Sequence, residues 1–229
     1  MKYTTLLMDA DETIFDFGKC EYQALKEALE YHGLEFSDEI CESFSTINTK
    51  LWKEFEMSHI TRSELRVQRF RELIKKCFEG FENTEILADT YVDRLSEQAI
   101  LIDGAQEALE RLSQSFDIYI ITNGLKKVQR GRFAKTDITD YIKKLYISDE
   151  IGMNKPDKKF FDYVLEDIPE KDKSKILVVG DSLSSDMQGG RNAGLDTCVY
   201  DPANRISMPN ELCDYHITGL TQIFSVAEG

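Results

Sequence analysis

Residues 6–14 read LLMDADETI. The apolar run Leu6, Leu7, Met8 stops abruptly at Asp9, and Asp11 and Glu12 follow within three positions. Three acids crowded behind a buried-looking strand repel one another. Taken alone, the stretch reads equally well as a solvated strand-to-loop turn, because Asp favours turns and helix caps. It also reads as carboxylates aimed at one point, and the rest of the chain decides between the two.

Working outward, the rhythm of the sequence changes. Residues 3–9 form an apolar strand candidate, but from 17 to 99 no convincing strand appears. Instead Tyr22, Leu25, Ala28 and Leu29 recur at helical spacing, as do Leu65, Phe70, Leu73, Ile74 and Cys77 in a charged background. Thr61 followed by Glu64 is a capping-box signature opening that second segment. After Asp103-Gly104 strands and helices alternate. DGAQEALERLSQ reads as a helix, FDIYIITNG as a strand, 124–135 as a helix and KKLYISDEIG as a short strand. PDKKFFDYVLEDI reads as a helix with Pro156 in its first turn, KILVVGDS as a buried strand, and SDMQGGRNAGL as a helix ending near Gly194. DTCVYD and DYHIT are two further strands, and a last helix covers about 219–226. Apolar strands separated by helices imply βαβ units and a parallel sheet. The predicted fold class is therefore α/β, a Rossmann-like parallel-sheet core over 1–16 and 100–229 with an all-helical insertion over 17–99.

Composition excludes several classes. The 229 residues carry 28 basic and 42 acidic side chains, a formal charge of −14. That excess argues against nucleic acid or an anionic membrane as partner, since both need a basic footprint. A small anionic substrate remains compatible if a cation or a local basic group screens it. No window approaches the roughly 20 apolar residues of a membrane span, and the N-terminus turns acidic too early for a secretory signal. Cys20, Cys41, Cys77, Cys198 and Cys213 are odd in number, lack CxxC spacing and read as reduced cytosolic thiols, so a cytoplasmic protein is expected. His32, His59 and His216 read as surface or helix-end residues. The chemistry expected is carboxylate chemistry.

Three strand candidates end in polar residues: Asp9, then Thr122-Asn123-Gly124, then Gly180-Asp181-Ser182. Ligands of open α/β sheets bind outside the carboxyl ends of the strands. A parallel sheet thus gathers Asp9, Asp11, Thr122, Asn123, Asp181 and Asp186 at one edge, with Lys155 of NKPD falling between the last two clusters. Each cluster alone has a plainer reading: Thr122-Asn123-Gly124 as a turn, Lys155 as a solvated loop lysine, Asp181 as a helix cap. A calcium loop starting at Asp9 is disfavoured, because Thr13 and Ile14 stand where the EF-hand pattern wants Asp or Asn and Gly.

Together these motifs resemble the haloacid dehalogenase-like (HAD) hydrolase superfamily. Its DxDx[TV], Ser or Thr, Lys-Pro and GDxxxxD motifs stand here as Asp9-Ala10-Asp11-Glu12-Thr13, Thr122, Lys155-Pro156 and Gly180-Asp181 through Asp186. The superfamily's type-1 helical cap matches the place of residues 17–99. The resemblance implies phosphoryl transfer. Asp9 would be the nucleophile, ionised without activation since an Asp has an ordinary pKa of about 3.9. Asp11 would act as general acid on the leaving oxygen and then as base on water. Mg²⁺, with Mn²⁺ as an allowed substitute, would be held by Asp9, the Asp11 carbonyl and Asp181, with Asp186 as supporting partner or ligand. Thr122 and the Asn123 N–H would hold phosphoryl oxygens, and Lys155 would neutralise charge. Glu12 has no assigned role and is expected to be solvated.

Asp11 separates the chemistries, because hydrolytic dehalogenases have no leaving alcohol to protonate and lack it. The segment FSTINTKLWKEFEMSHITRSELRVQRF is similar to the cap of YjjG-type noncanonical pyrimidine nucleotidases, through Ile47, Asn48, Leu51, Trp52, Lys53, Ile60, Thr61, Leu65, Arg69 and Phe70. The expectation is a 5′-nucleotidase acting on nucleoside monophosphates, pyrimidine ones preferred, as monomer or homodimer. Trp52 shares a face with Asn48 and is expected to pack rather than to stack on a base. A sugar-phosphate phosphatase, a phosphoglucomutase-like enzyme and an inactive nucleotide-binding regulator remain the alternatives. An insert joined at two points, near 15–18 and 99–103, is expected to close over substrate.

Overall fold

A six-stranded, all-parallel sheet in the order β3-β2-β1-β4-β5-β6 carries the architecture. The structure, a computed structural model, describes residues 1–57 and 59–228. Its strands are β1 (Thr5–Met8), β2 (Asp117–Thr122), β3 (Lys144–Ile147), β4 (Ile176–Gly180), β5 (Asp196–Tyr200) and β6 (Tyr215–Ile217). They read as near-continuous apolar runs because helices cover both faces of a parallel sheet. Period-two alternation then sorts the side chains. Leu6, Met8, Ile118, Ile120, Leu177 and Val179 enter one core with Leu109 and Leu112 of α5 (Ala105–Ser113) and Ile223 of α10 (Ile223–Glu228). Leu7, Tyr119, Ile121, Val178 and Val199 enter the other, against Phe160, Phe161 and Val164 of α8 (Lys158–Asp167).

Register places the polar strand ends together. Met8 pairs with Ile120 on one side and Val179 on the other. One residue further along, the chain reaches Asp9, whose N–H donates to the Val179 carbonyl at 2.8 Å. The strand order reverses at β1, and such a switch point is where open α/β sheets bind ligands.

The chain divides into two units, Met1–Phe17 with Ala99–Gly229, and Gly18–Gln98. The second is built on four helices, α1 (Phe17–Tyr31), α2 (Asp38–Glu56), α3 (Arg62–Cys77) and α4 (Thr84–Glu97), inserted between β1 and β2. Ser37 caps α2, and Thr61 with Glu64 forms the reciprocal box opening α3. Phe44, Phe70 and Tyr91 pack at ring-centroid distances of 5.0–5.3 Å, and the buried Arg69 lies 4.6 Å over the Tyr91 ring. Arg69 also donates to Asn48, which donates to the buried Glu21. Trp52 is half-buried and meets Phe55 edge-on.

Two local expectations change. Tyr22, placed on the apolar stripe of α1, is exposed; its ring meets Phe36 edge-on and its hydroxyl donates to Asp38 at 3.0 Å. Pro156 lies outside the first turn of α8, because Asp157 takes the cap position and accepts from the Lys159 N–H at 2.9 Å. Among the described residues no helix is long and apolar enough to cross a membrane.

Candidate active site

Lys155 organises the centre. It sits in the loop between α7 (Ser148–Ile151) and α8, is 1% exposed, and its ammonium donates to Asp9 at 2.6 Å, Asp186 at 2.6 Å and the Ile121 carbonyl at 2.8 Å. Three acceptors satisfy its three protons. Its backbone is held as firmly. Asn123, just past β2, accepts from the Lys155 N–H and donates to the Lys155 carbonyl, both at 2.9 Å, and donates to Ser185 at 3.2 Å. The side chain of Asn123 therefore positions the lysine loop. Thr122 is buried and its hydroxyl accepts from the Gly124 N–H at 3.0 Å, an arrangement that keeps its own O–H as a donor.

Asp181 follows β4. A wide π-type turn over Leu183–Met187 leads into α9 (Gln188–Ala193) and buries Asp186 completely. Ser182 donates its N–H to Asp186 Oδ2 at 3.2 Å. Gly180 is needed at this point, because a Cβ there would stand 2.3 Å from Asp186 Oδ2.

Oxygens of Asp9, Asp181 and Asp186 lie within 4.8 Å of one another. Three carboxylates against one ammonium leave excess negative charge in a buried place. Burial, then the Asp186 charge, raise Asp9 to about 7 against the pull of Lys155. Asp181 is pushed well above the ordinary carboxylate range by burial and by Asp9 and Asp186. Burial alone would lower Lys155, but Asp186 and Asp9 hold its pKa above the ordinary lysine value. A hard divalent cation with oxygen ligands fits this donor set, and Mg²⁺ has those preferences. Asp186 spends one oxygen on Lys155 and one on the Ser182 N–H, as befits a residue supporting the site.

Asp11 behaves differently from its neighbour. Its carboxylate is taken up by α6 (Lys126–Phe133): Gln129 Nε2 donates to Oδ2 at 2.7 Å, and Arg132 donates to Oδ1. Only its carbonyl would be left for a cation. Glu12 is exposed and sits in the left-handed region at φ 57°, turning the chain out of the strand.

A family model described as haloacid dehalogenase-like hydrolase matches residues 6–200, a span holding every strand end described above except that of β6. The chain belongs to the haloacid dehalogenase-like hydrolases. This hydrolase is 36% identical over 226 residues to the HAD-hydrolase YfnB of Bacillus subtilis (strain 168), covering 98% of this chain and 95% of that protein. A crystal structure of YfnB in an orthorhombic form, bound to magnesium and showing interdomain movement, superimposes with a TM-score of 0.93 at 34% identity, with all of both chains covered. Two relatives have named substrates. Pyrimidine 5′-nucleotidase PynA of Streptococcus pneumoniae is 34% identical over 203 residues, 88% of this chain and 85% of that one. Pyrimidine 5′-nucleotidase YjjG of Escherichia coli (strain K12) is 34% identical over 207 residues, 90% and 89%.

Every strand-end residue singled out in the sequence lies at the carboxyl edge of this hydrolase's sheet. Gln129 and Arg132 were not foreseen. A signal exists: Val128, Gln129, Arg132 and Phe133 form the buried face of α6, so two polar residues fill core-facing helix positions. Ser185 gave no signal beyond its place inside the Gly180–Asp186 motif.

Proposed function

We propose that this hydrolase is a Mg²⁺-dependent phosphomonoesterase that works through an aspartyl-phosphate, and that its substrates are pyrimidine nucleoside 5′-monophosphates. The observation that carries the chemistry is the buried Asp9–Lys155–Asp186 group at the switch point of the sheet. Asp9 attacks phosphorus as the bond to the alcohol oxygen breaks, and Asp11 gives that oxygen its proton. Water then attacks the aspartyl-phosphate, Asp11 takes back a proton, and phosphate and free Asp9 result. Lys155 offsets charge on Asp9 throughout, while the Thr122 hydroxyl and the Asn123 N–H bind phosphoryl oxygens. Asp9, Asp181 and the Asp11 carbonyl would hold Mg²⁺, supported by Asp186; when bound, the ion neutralises phosphoryl charge.

The relatives PynA and YjjG, both named pyrimidine 5′-nucleotidases, support the substrate class. So does the likeness of the segment holding Asn48, Trp52 and Arg69 to the cap of YjjG-type nucleotidases. The test is phosphate release with Mg²⁺ from UMP, dTMP, purine nucleotides and sugar phosphates. Fast release from sugar phosphates with none from UMP or dTMP would refute the substrate assignment. Unchanged release by Asp9→Asn would refute the nucleophile.

A further inference from the structure

Gln129 is a buried amide with an uneven set of partners. Its Nε2 donates to Asp11 at 2.7 Å, whereas its buried Oε1 has no hydrogen-bond partner among the described residues. Turning the amide over would set oxygen against oxygen, so Asp11 fixes its direction. Leaving a buried carbonyl unsatisfied costs about 1–3 kcal/mol, which an apolar residue at this core-facing position would avoid. The side chain also dictates a neighbour: a Cβ on Gly124 would stand 2.2 Å from Gln129 Nε2. The amide thus passes directly over the glycine of the Thr122-Asn123-Gly124 turn to reach the acid. Arg132, one turn along the same helix and fully buried, donates to the other oxygen of Asp11. Its guanidinium is itself braced 4.5 Å over the Phe15 ring.

We propose that Gln129 and Arg132 are positioning residues that aim the Asp11 carboxyl at the leaving-group oxygen, with Gly124 kept small to let the Gln129 amide through. The inference rests on the phosphatase reading above. Two donors on two oxygens, both from one helix, fix where the group lies and how its plane is turned. Asp11 by itself, on a loop ahead of a left-handed residue, has neither constraint. The step served is the transfer of the Asp11 proton to the alkoxide oxygen as the phosphorus–oxygen bond breaks.

Leaving-group dependence tests this. p-Nitrophenolate departs without a proton, whereas the alcohol of a nucleotide or of glycerol phosphate needs one. The ratio kcat/KM stops at release of the alcohol, so water attack does not enter. Gln129→Ala is expected to lower kcat/KM on UMP and glycerol 3-phosphate on the order of 10–100-fold, a part of the 10²–10⁴ that general acid catalysis contributes. On p-nitrophenyl phosphate the change should stay under about 3-fold, since no proton transfer assists that departure. Gly124→Ala, whose Cβ would meet Gln129 Nε2 at 2.2 Å and its Cδ and Cγ at 2.9 Å, pushes the amide off Asp11 and should likewise lower alkyl-ester activity more than p-nitrophenyl phosphate activity. Arg132→Lys should retain more alkyl-ester activity than Arg132→Met. In an Asp11→Asn background Gln129→Ala should add nothing. Equal losses on both ester classes, or additivity with Asp11→Asn, would overturn the proposal while leaving the phosphatase reading intact. A wild-type enzyme inactive on every ester would instead remove the reading itself.

Discussion

Asp9 should be a liability to the metal-free protein, and replacing it with Asn should stabilise the fold. In the folded state Asp9 titrates at about 7 against an ordinary value of 3.8, chiefly because it is buried and because Asp186 is near. The folded protein therefore holds the Asp9 proton more tightly than the unfolded chain does. Protons favour folding within that window, so the Asp9 contribution to stability falls as pH rises from about 4 to about 7. At roughly 1.4 kcal/mol for each pH unit, the loss approaches about 4 kcal/mol. Asp9→Asn removes the charge and leaves Lys155 paired with Asp186. For a chain of 229 residues, where each kcal/mol moves Tm by roughly 2–4 °C, the variant should melt about 10 °C higher at pH 8 in chelator. The gap should close towards pH 4. Mg²⁺ should raise the wild-type Tm more at pH 8 than at pH 5.5, since it binds the ionised form. Scanning calorimetry across pH, with EDTA and with Mg²⁺, makes the measurement. A variant no more stable than wild type at pH 8 in chelator, or a gap between the two that does not narrow towards pH 4, would refute the reasoning.

Other perturbations have equally definite outcomes. Lys155→Met leaves Asp9 and Asp186 buried without their ammonium and should cost about 3–5 kcal/mol by chemical denaturation, with phosphatase activity abolished. Because the Lys155 pKa lies above its ordinary value of 10.5, that contribution should persist through neutral pH and disappear only when pH rises through the folded value. Gly180→Ala forces its Cβ against the clamped Asp186 carboxylate; a loss of about 1–3 kcal/mol and weaker Mg²⁺ binding by titration calorimetry are expected. Asn123→Ala removes three hydrogen bonds from the lysine loop and Ser185. Denaturation should show a loss of about 1–3 kcal/mol, and kcat should fall further than KM changes. In the helical unit, Arg69→Ala leaves Asn48 and Glu21 without their buried cation and should cost about 3–5 kcal/mol, while Trp52→Phe should cost much less.

The sheet was legible because parallel strands buried on both faces leave a mark that local sequence carries: short apolar runs cut off by Asp9, Thr122 and Asp181. The strand ends were legible for the same reason. What escaped was the arrangement of partners, which depends on packing between distant elements. Nothing local in KKVQRGRF says that Gln129 will cross Gly124 to meet Asp11, some 118 residues away along the chain. Nothing local in TNG says that the Asn123 side chain will grip the Lys155 backbone. Tyr22 and Pro156 misled through averages: a ring at a stripe position was satisfied at the surface by Asp38, and an Asp one residue later made the better helix cap.

The repulsion posed by Asp9-Ala10-Asp11 is resolved by separating the two acids between two cations on different elements. Asp11 still raises the pKa of Asp9, so the pair remain within electrostatic reach. Yet Asp9 faces Lys155 together with Asp186, while Asp11 faces Arg132 and Gln129. A single shared cation would have bridged the two carboxylates and tied both to one geometry. Divided, one acid is held by a compact ammonium that donates to one of its two oxygens, Oδ1, leaving the other for the attack proposed above. The other is held by a planar guanidinium and an amide, which set direction as well as charge. The division also accounts for the make-up of the carboxylate cluster. The acid drawn away by α6 is the one whose carboxylate is missing from the Asp9–Asp181–Asp186 cluster; in the proposed mechanism that separation would keep the proton carrier off the cation.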